Sequence, residues 1–386
     1  MQRISVPQRP GLMRTALAHG LECDRSGGVL FWDETAYYRF TLHQIEEDIE
    51  GCAEDIHDMC VEVLNHAIED DSIFRSLNIP EPFWDIIAQS WRNNEQDLMG
   101  RLDLSYDGEG PAKLLEYNGD TPTTLYESSI FQWEWLVQAI DLQLVKSECD
   151  QFNLLHEYLL ETLEKLGLDC SLHLACLADI EDDRGTVEYI EDCAKEVGLD
   201  TYFLNMKDIG VDSNGRFTDL DDQIISTLYK LYPWEWMMDE GFSSHLLSSS
   251  VHFIEPPWKA VLSNKGLLPV LWQMFEGHPN LLPAYFEDDP RASSLSGTYV
   301  RKPLFSRRGW NIEIISQGKT IARNMGPYGN EGYIVQDFQP LPCFGENFTL
   351  VGCWVVGGHP AGLCLREDRN WITSESANLV PHVILD

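Results

Sequence analysis

The stretch Arg101-Leu-Asp-Leu-Ser-Tyr-Asp-Gly-Glu-Gly-Pro-Ala-Lys-Leu-Leu-Glu-Tyr-Asn118 decides how the rest of the chain is read. Two strand-like runs flank a Gly/Pro-rich centre, the pattern of a β-hairpin. A turn centred between Glu109 and Gly110 sets Arg101 across from Asn118 and Asp103 across from Glu116. Strand side chains alternate faces, so these four residues become neighbours on one face. Two carboxylates directly opposed weaken a sheet unless positive charge lies between them. A hard divalent cation supplies that charge, and Mg²⁺ held by two carboxylates, an amide oxygen and substrate phosphates is an ordinary coordination set. Equally, Arg101 supplies it and the acids are rim residues, or a bulge breaks the register.

Beyond the hairpin, Asn118-Gly-Asp-Thr-Pro-Thr-Thr124 is dense in hydroxyls and free N–H groups just before a helical run, LYESSIFQW. Such a turn can hold a carboxylate at Thr121 and Thr123; alternatively Thr123 or Thr124 is only the N-cap of that helix. Upstream, Thr41 and Gln44 have capping-box spacing. Leu42, Ile45, Ile49, Cys52, Ile56, Met59, Val63 and Leu64 recur at helical intervals, predicting a long helix over 41–71 with a solvated acidic face. A second helix is predicted over 83–99.

From residue 151 the order is helix (FNLLHEYLLETLEKLG), strand (SLHLACLA), helix (GTVEYIEDCAKEVG), strand (TYFLNM), a βαβ unit with a parallel pair. Beyond Pro256, a short helix in NKGLLPVLWQMF precedes strands at 298–302, 310–316, 332–338, 348–356 and 360–366, with Gly357-Gly358 as a hairpin turn. The carboxyl third is therefore largely antiparallel. The division expected is 1–150, a helical region with the hairpin; 151–255, an α/β lobe; and 256–386, the antiparallel lobe.

The 386 residues carry 63 acidic side chains against 27 basic, a formal charge of -36. That charge disfavours nucleic acid and anionic membrane surfaces and favours small cations such as polyamines, unless it serves solubility alone. With 44% apolar residues, 28 Gly and 19 Pro, the composition is globular. No apolar run reaches the ~18 residues of a membrane span, and the first twenty residues lack the apolar core of a secretory signal, so a cytoplasmic protein is expected. Ten scattered cysteines form no CxxC pair and read as reduced thiols.

Scarce cations are informative by position. Lys302 ends the strand TYVRK and precedes Arg307, Arg308 and Gly309, which resembles a loop that covers phosphates. Lys265 opens a helix in SNKG, and Arg366 ends a late strand. In YIVQDFQP, an apolar strand leads to Gln336, Asp337 and Phe338, an edge able to border an adenine. Gln317-Gly-Lys-Thr320 ends like a P-loop, but Glu313 stands where that motif needs glycine. Neither GxGxxG nor GxSxG occurs.

Taken in order, Arg101-Leu-Asp103, Leu115-Glu116-Tyr117-Asn118-Gly119-Asp120-Thr121, Leu231-Tyr-Pro-Trp-Glu235, Asn264-Lys265-Gly-Leu-Leu-Pro, Val300-Arg-Lys302-Pro and Leu365-Arg366-Glu-Asp368 resemble the synthetase domain of the glutathionylspermidine synthase family. The likeness runs from about Val6 to Asp386 and is stronger still to the family's stand-alone acid–amine ligases. It implies a permuted ATP-grasp fold similar to glutathione synthetase, of mixed α+β and α/β character, with an α/β substrate lobe and ATP between two antiparallel sheets. Carried over by position, it implies that Asp103, Glu116 and Asn118 hold Mg²⁺ and that Lys265 and Lys302 contact ATP phosphates. Gln336, Asp337 and Phe338 would border the adenine. Arg101 and Arg366 would be catalytic, stabilising an acyl phosphate and tetrahedral intermediate. Thr121 and Thr123 replace serines that bind glutathione, so a carboxylate substrate is implied but glutathione itself is not. The family's acidic position about a dozen residues beyond Arg366 falls near Asn378, which argues against spermidine. The implied partners are a small-molecule carboxylate, such as a peptide thiol, and an amine, such as a polyamine. The alternative is a non-ligating ATP-binding regulatory or polyamine-binding protein.

Overall fold

The computed structural model describes residues 1–18, 31–168, 171–295 and 297–386. The deciding hairpin forms from strands Met99–Ser105 and Lys113–Asn118, with Arg101 opposite Asn118 and Asp103 opposite Glu116 as expected. A bulge between Asp103 and Leu104 then shifts the pairing by one, so Leu104 faces Leu114 and Ser105 faces Lys113. The turn is therefore not centred between Glu109 and Gly110. Because the bulge lies on the turn side of the acids, it leaves their shared face intact.

This hairpin is the edge of a six-stranded antiparallel sheet that continues through Asn347–Val356, His359–Asp368 and Asn378–Val380, with the short strand Cys343–Phe344 also paired to Asn347–Val356. Gly357 and Gly358 make the turn at φ 56° and 84°, the left-handed pair that a tight hairpin requires. A second antiparallel sheet orders Ala284–Phe286, Tyr333–Asp337, Thr298–Pro303, Glu313–Ser316 and Lys319–Arg323. Its last strand is not anticipated by the sequence reading. Gln317 and Gly318, at φ 49° and 74°, form the turn, and Lys319 and Thr320 continue as strand, which removes any phosphate-loop geometry. The strand expected from residue 310 starts only at Glu313, because Arg308, Gly309 and Asn311 all take positive φ.

The parallel pair Leu172–Cys176 and Thr201–Asn205 forms as expected, and Thr227–Leu231 and His252–Ile254 extend it to four parallel strands. Helices Leu155–Lys165 and Glu181–Glu196 cover one face through Leu159, Leu163, Val187 and Ile190, which join the core beneath Leu172 and Leu174. A small sheet of Gln2–Ser5, Ala36–Phe40 and His382–Ile384 ties the two ends of the chain together.

The capping box is real. Gln44 N–H donates to Thr41 Oγ1 at 3.2 Å, and Thr41 N–H donates to Gln44 Oε1 at 3.1 Å. The helix opens with π geometry over Gln44–Glu50 and continues as α over Gly51–Ala67, burying Ile45, Ile49, Ile56, Val63 and Leu64 but leaving Leu42 exposed. It stops short of 71, where a separate helix, Asp71–Ser76, begins under an Asp70 cap. The helix expected over 83–99 spans only Trp84–Arg92; Asn94 at φ 52° ends it, and Met99 is already sheet. Among the described residues no helix is long and apolar enough to cross a membrane. The eight described cysteines are free, all buried except Cys343, while Cys23 and Cys170 lie outside the described residues.

One buried ion pair fixes the segment after the hairpin. Lys230 Nζ, with no exposed surface, lies 2.6 Å from Asp120 Oδ1, and Trp234 N–H donates to Asp120 Oδ2 at 2.9 Å. Removing one partner strands a buried charge. Lys230→Met is expected to cost roughly 3 to 5 kcal/mol in urea unfolding, and the double variant Lys230→Met/Asp120→Asn measurably less.

Candidate active site

The cleft begins on the hairpin face. Arg101 donates from Nε to Asp103 Oδ1 at 2.8 Å and from Nη1 to the Thr123 carbonyl at 2.8 Å, so one guanidinium joins the acidic strand to the threonine turn. Gly352 on the adjacent strand leaves it room: a Cβ there would lie 2.9 Å from Arg101 Cδ and 3.1 Å from the Cys364 carbonyl. Asn118 Nδ2 donates to Asp103 Oδ2 at 3.1 Å, leaving Asn118 Oδ1 as a free acceptor among the described residues. Glu116 Oε2 pairs with Lys265 Nζ at 3.0 Å, and Lys265 also donates to the Ser306 carbonyl at 2.8 Å.

The second sheet reaches across. Lys302 Nζ donates to the Leu115 carbonyl and to Gln336 Oε1, each at 2.7 Å, and Gln336 Nε2 donates to the Leu114 carbonyl at 3.1 Å. Both sheets thus meet at the backbone between Leu114 and Glu116. Burial would raise the Glu116 carboxyl, but Lys265 and Lys302 outweigh it and hold it at about 2. Burial pulls Lys302 down to about 8 although Glu116 opposes the shift. Arg366 lies on the strand beyond Gly352, donates to the Ser374 carbonyl at 3.1 Å, and has no carboxylate within ion-pair distance among the described residues. Burial and the neighbouring Arg101 lower its pKa, and Asp103 pairs with Arg101 alone. The surplus positive charge suits an anion.

Arg101, Asp103, Glu116, Asn118, Thr121, Thr123, Lys302, Gln336, Asp337, Phe338 and Arg366 all line one cleft; Lys265 stands behind it through Glu116. The N–H groups of Asp337 and Phe338 are committed to the Pro283 and Thr298 carbonyls, so this edge presents an apolar wall rather than free donors. Phe338 adjoins Trp371 at 6.4 Å between ring centres, and Val300, Ile314 and Leu350 complete that wall. Thr124 is buried and strained at φ 76°, so the threonine turn is held in shape rather than loosely attached.

The donor set fits a hard divalent cation. Among the described residues Glu116 Oε1 and Asn118 Oδ1 carry no partner, while both Asp103 oxygens accept from Arg101 and are open to a cation only through their remaining lone pairs; no three His, Cys, Asp or Glu side chains form a cage of their own. Mg²⁺ is commonly bound by one or two carboxylates with the rest of its shell from phosphates and water. Arg101 meanwhile neutralises Asp103, as the alternative expected, although Asp103 is buried and not a rim residue.

The acids on the opposite wall are not anticipated by the sequence reading. Asp183 Oδ1 pairs with Arg307 Nη2 at 3.3 Å, Asp182 Oδ2 lies 3.8 Å from Arg308 Nη2, and Glu375 Oε2 lies 3.2 Å from Arg308 Nη1. Burial raises Asp183 against the pull of both arginines. The signal was Glu181-Asp182-Asp183 ahead of a helix expected to start at Gly185, which in fact starts at Glu181.

Two antiparallel sheets meeting across such a cleft, with a parallel-sheet lobe beside them, make this an ATP-grasp-type fold similar to glutathione synthetase. A glutathione synthetase-like effector from Globodera pallida matches it with a TM-score of 0.58 over 99% of this chain and 100% of that one, at 11% identity. The chain belongs to the glutathionylspermidine synthase preATP-grasp family, whose family model matches residues 3–385. A Haemophilus influenzae protein named "Putative acid--amine ligase" is 36% identical over 397 residues, 99% of both chains. Trypanothione synthetase of Crithidia fasciculata is 27% identical over 82% of this chain and 52% of its own length. The bifunctional glutathionylspermidine synthetase/amidase of Escherichia coli is 23% identical over 93% of this chain and 61% of its own length. The chain thus spans about half to three-fifths of these two larger relatives.

Glu116 tests the electrostatics directly. Its folded pKa is depressed from 4.5 to about 2, so its contribution is complete above the unfolded value and is lost as pH falls through the folded one. Glu116→Gln is expected to cost roughly 3 kcal/mol at pH 7 and roughly 2 kcal/mol at pH 3.5, read by denaturant unfolding at both values.

Proposed function

We propose that the protein is an ATP-dependent carbon–nitrogen ligase that joins a small-molecule carboxylate to an amine. The observation that carries this reading is the meeting of Asp103, Glu116 and Asn118 with Lys265 and Lys302 at the point where the two sheets touch. The acid–amine ligase and synthetase names of its relatives support the ligase class.

In this reading Thr121 and Thr123 orient the acid, whose carboxylate attacks the γ-phosphorus of ATP. An acyl phosphate forms and ADP leaves; an uncharged amine then adds to the acyl carbon and phosphate departs with the C–O electrons, leaving an amide and one proton. Asp103, Glu116 and Asn118 would hold Mg²⁺, which supplies charge compensation on the phosphates. Lys302 grips the same phosphates, Lys265, expected to contact them too, instead stands behind the cleft and acts through Glu116, and Gln336, Asp337 and Phe338 border the adenine. Arg101 and Arg366 meet the negative charge that develops at the acyl centre; because Arg101 is buried, Arg366 half-buried, and both are already held by the Thr123 and Ser374 carbonyls, they need little reorganisation. Positioning and charge do this work, so no nucleophilic side chain is required. Asp182, Asp183 and Glu375 form the wall suited to the other, charged nitrogens of a polyamine. ATP and Mg²⁺ are the cosubstrate and cofactor, and the reduced thiols suit a cytoplasmic setting. Neither nucleic acid nor membrane is a partner of an acidic chain of this kind.

Purified protein given ATP, Mg²⁺ and a matrix of carboxylates and amines should release ADP and yield a product whose mass is the sum of both substrates less water. Glu116→Ala and Lys302→Ala should lower ADP release at least a hundredfold, the scale of losing one fixed charge at a transition state. ATP binding without ADP release under any pairing would favour the non-ligating reading, and no ATP binding at all would remove both.

Lys302 adds a pH dependence. Its free-protein pKa is lowered from 10.5 to about 8, whereas bound phosphates favour the charged amine, so binding above pH 8 takes up a proton and weakens as pH rises. Titration calorimetry in buffers of different ionisation enthalpy should detect that uptake near pH 9, and Lys302→Met should abolish it.

A further inference from the structure

The parallel sheet leaves one face thinly covered. Helices Leu155–Lys165 and Glu181–Glu196 pack one side; on the other, where Leu228 and Phe253 project, lie the two-residue strands Gly210–Val211 and Phe217–Thr218 and the short helices Trp234–Asp239 and Ser243–Leu246. Parallel sheets are ordinarily covered on both faces. Here the shortfall is a cavity of about 380 Å³, walled by Leu177, Met206, Ile209, Phe217, Leu228 and Phe253, with the exposed Glu240 at its edge.

Its place in the topology is that of a ligand site. The strand order is His252–Ile254, Thr227–Leu231, Leu172–Cys176, Thr201–Asn205, so the chain steps to one side of Leu172–Cys176 and then returns to the other. Leu177, Met206 and Tyr232 each directly follow the carboxyl end of a strand. Open α/β sheets bind ligands in the crevice at such a reversal, beyond the carboxyl ends. None of these residues lines the ligation cleft.

The mouth carries one uncompensated charge. Of its polar residues, Lys207 is offset by Asp179 at 2.8 Å, while Glu240 receives only the hydroxyl of Tyr232 among the described residues. A carboxylate beside an apolar chamber in a chain of charge -36 favours a cation with an apolar tail. Tyr232 belongs to Leu231-Tyr-Pro-Trp-Glu235, the run singled out in the sequence that the ligation cleft does not line with its tyrosine; two residues on, Trp234 N–H holds Asp120 beside the threonine turn.

We propose that this cavity is a binding site for a small hydrophobic primary amine, with the tail against Leu228 and Phe253 and the ammonium on Glu240. The test uses the full chain and two probes of equal tail and opposite charge, phenethylamine and 3-phenylpropionate, in titration calorimetry. Phenethylamine should bind saturably, and 3-phenylpropionate at least tenfold more weakly. Glu240→Gln should weaken the amine about threefold to fivefold, the scale of an ion pair with an exposed carboxylate. Leu246→Trp, which fills the chamber, should abolish binding, while both variants keep wild-type ATP affinity. Equal affinity for the two probes, amine binding indifferent to both substitutions, or no binding by the wild-type chain would overturn the proposal. The indifferent outcome would place the amine in the ligation cleft instead, which leaves the ligase reading untouched.

Discussion

Everything at the centre of this molecule depends on compensating two carboxylates that strand register forces together. Asp103 and Glu116 are paired across the hairpin, and like charges in that position repel. Three cations answer them, each from a different part of the chain: Arg101 on the same strand, Lys265 ahead of the Leu267–Met274 helix, and Lys302 on the second sheet. The repulsion therefore becomes the reason the two sheets are held at a fixed approach. Lys302 adds geometry to charge, because its bond to the Leu115 carbonyl, with that of its neighbour Gln336 to the Leu114 carbonyl, registers one sheet against the other.

The reverse face of the hairpin is anchored by the same means. Tyr117 points away from the cleft, toward His57 Nδ1 at 3.2 Å. Beneath it, buried Lys259 lies 2.6 Å from Asp97 and 3.4 Å from Glu255, while Glu255 accepts the Leu98 and Met99 N–H groups. Desolvation largely cancels the attraction in such buried pairs, so their effect is to specify one arrangement more than to add stability. A hairpin clamped on both faces is a stiff platform, and a site that works by positioned charge needs one.

The distribution of charge across the cleft follows the two halves of the proposed reaction. The hairpin side gathers Arg101, Arg366 and Lys302 where phosphate and acyl oxygens would lie; the other wall brings Asp182, Asp183 and Glu375. Arg307 and Arg308 bridge to Asp183 and Asp182, so the loop around Gly309 rests on the α/β lobe. A Cβ at Gly309 would meet the Thr373 carbonyl at 2.5 Å, so that approach requires glycine.

The amino-acid sequence determined what depends on neighbours in the chain. Alternation and a Gly-rich turn are local patterns, and they carried the pairing of Arg101 with Asn118 and of Asp103 with Glu116, the capping box at Thr41, the Gly357-Gly358 turn and the first parallel strand pair. Helix ends were less legible: a single left-handed Asn94 ends the helix expected to run to 99. Tertiary structure alone decided which cation meets which acid, and it brought Asp183 to Arg307 across more than a hundred residues. It also decided the terminal sheet, where Arg3 meets Glu367 at 2.6 Å. Such contacts leave no periodic trace, because a salt bridge depends on where two backbones are carried by packing and not on the residues beside either partner.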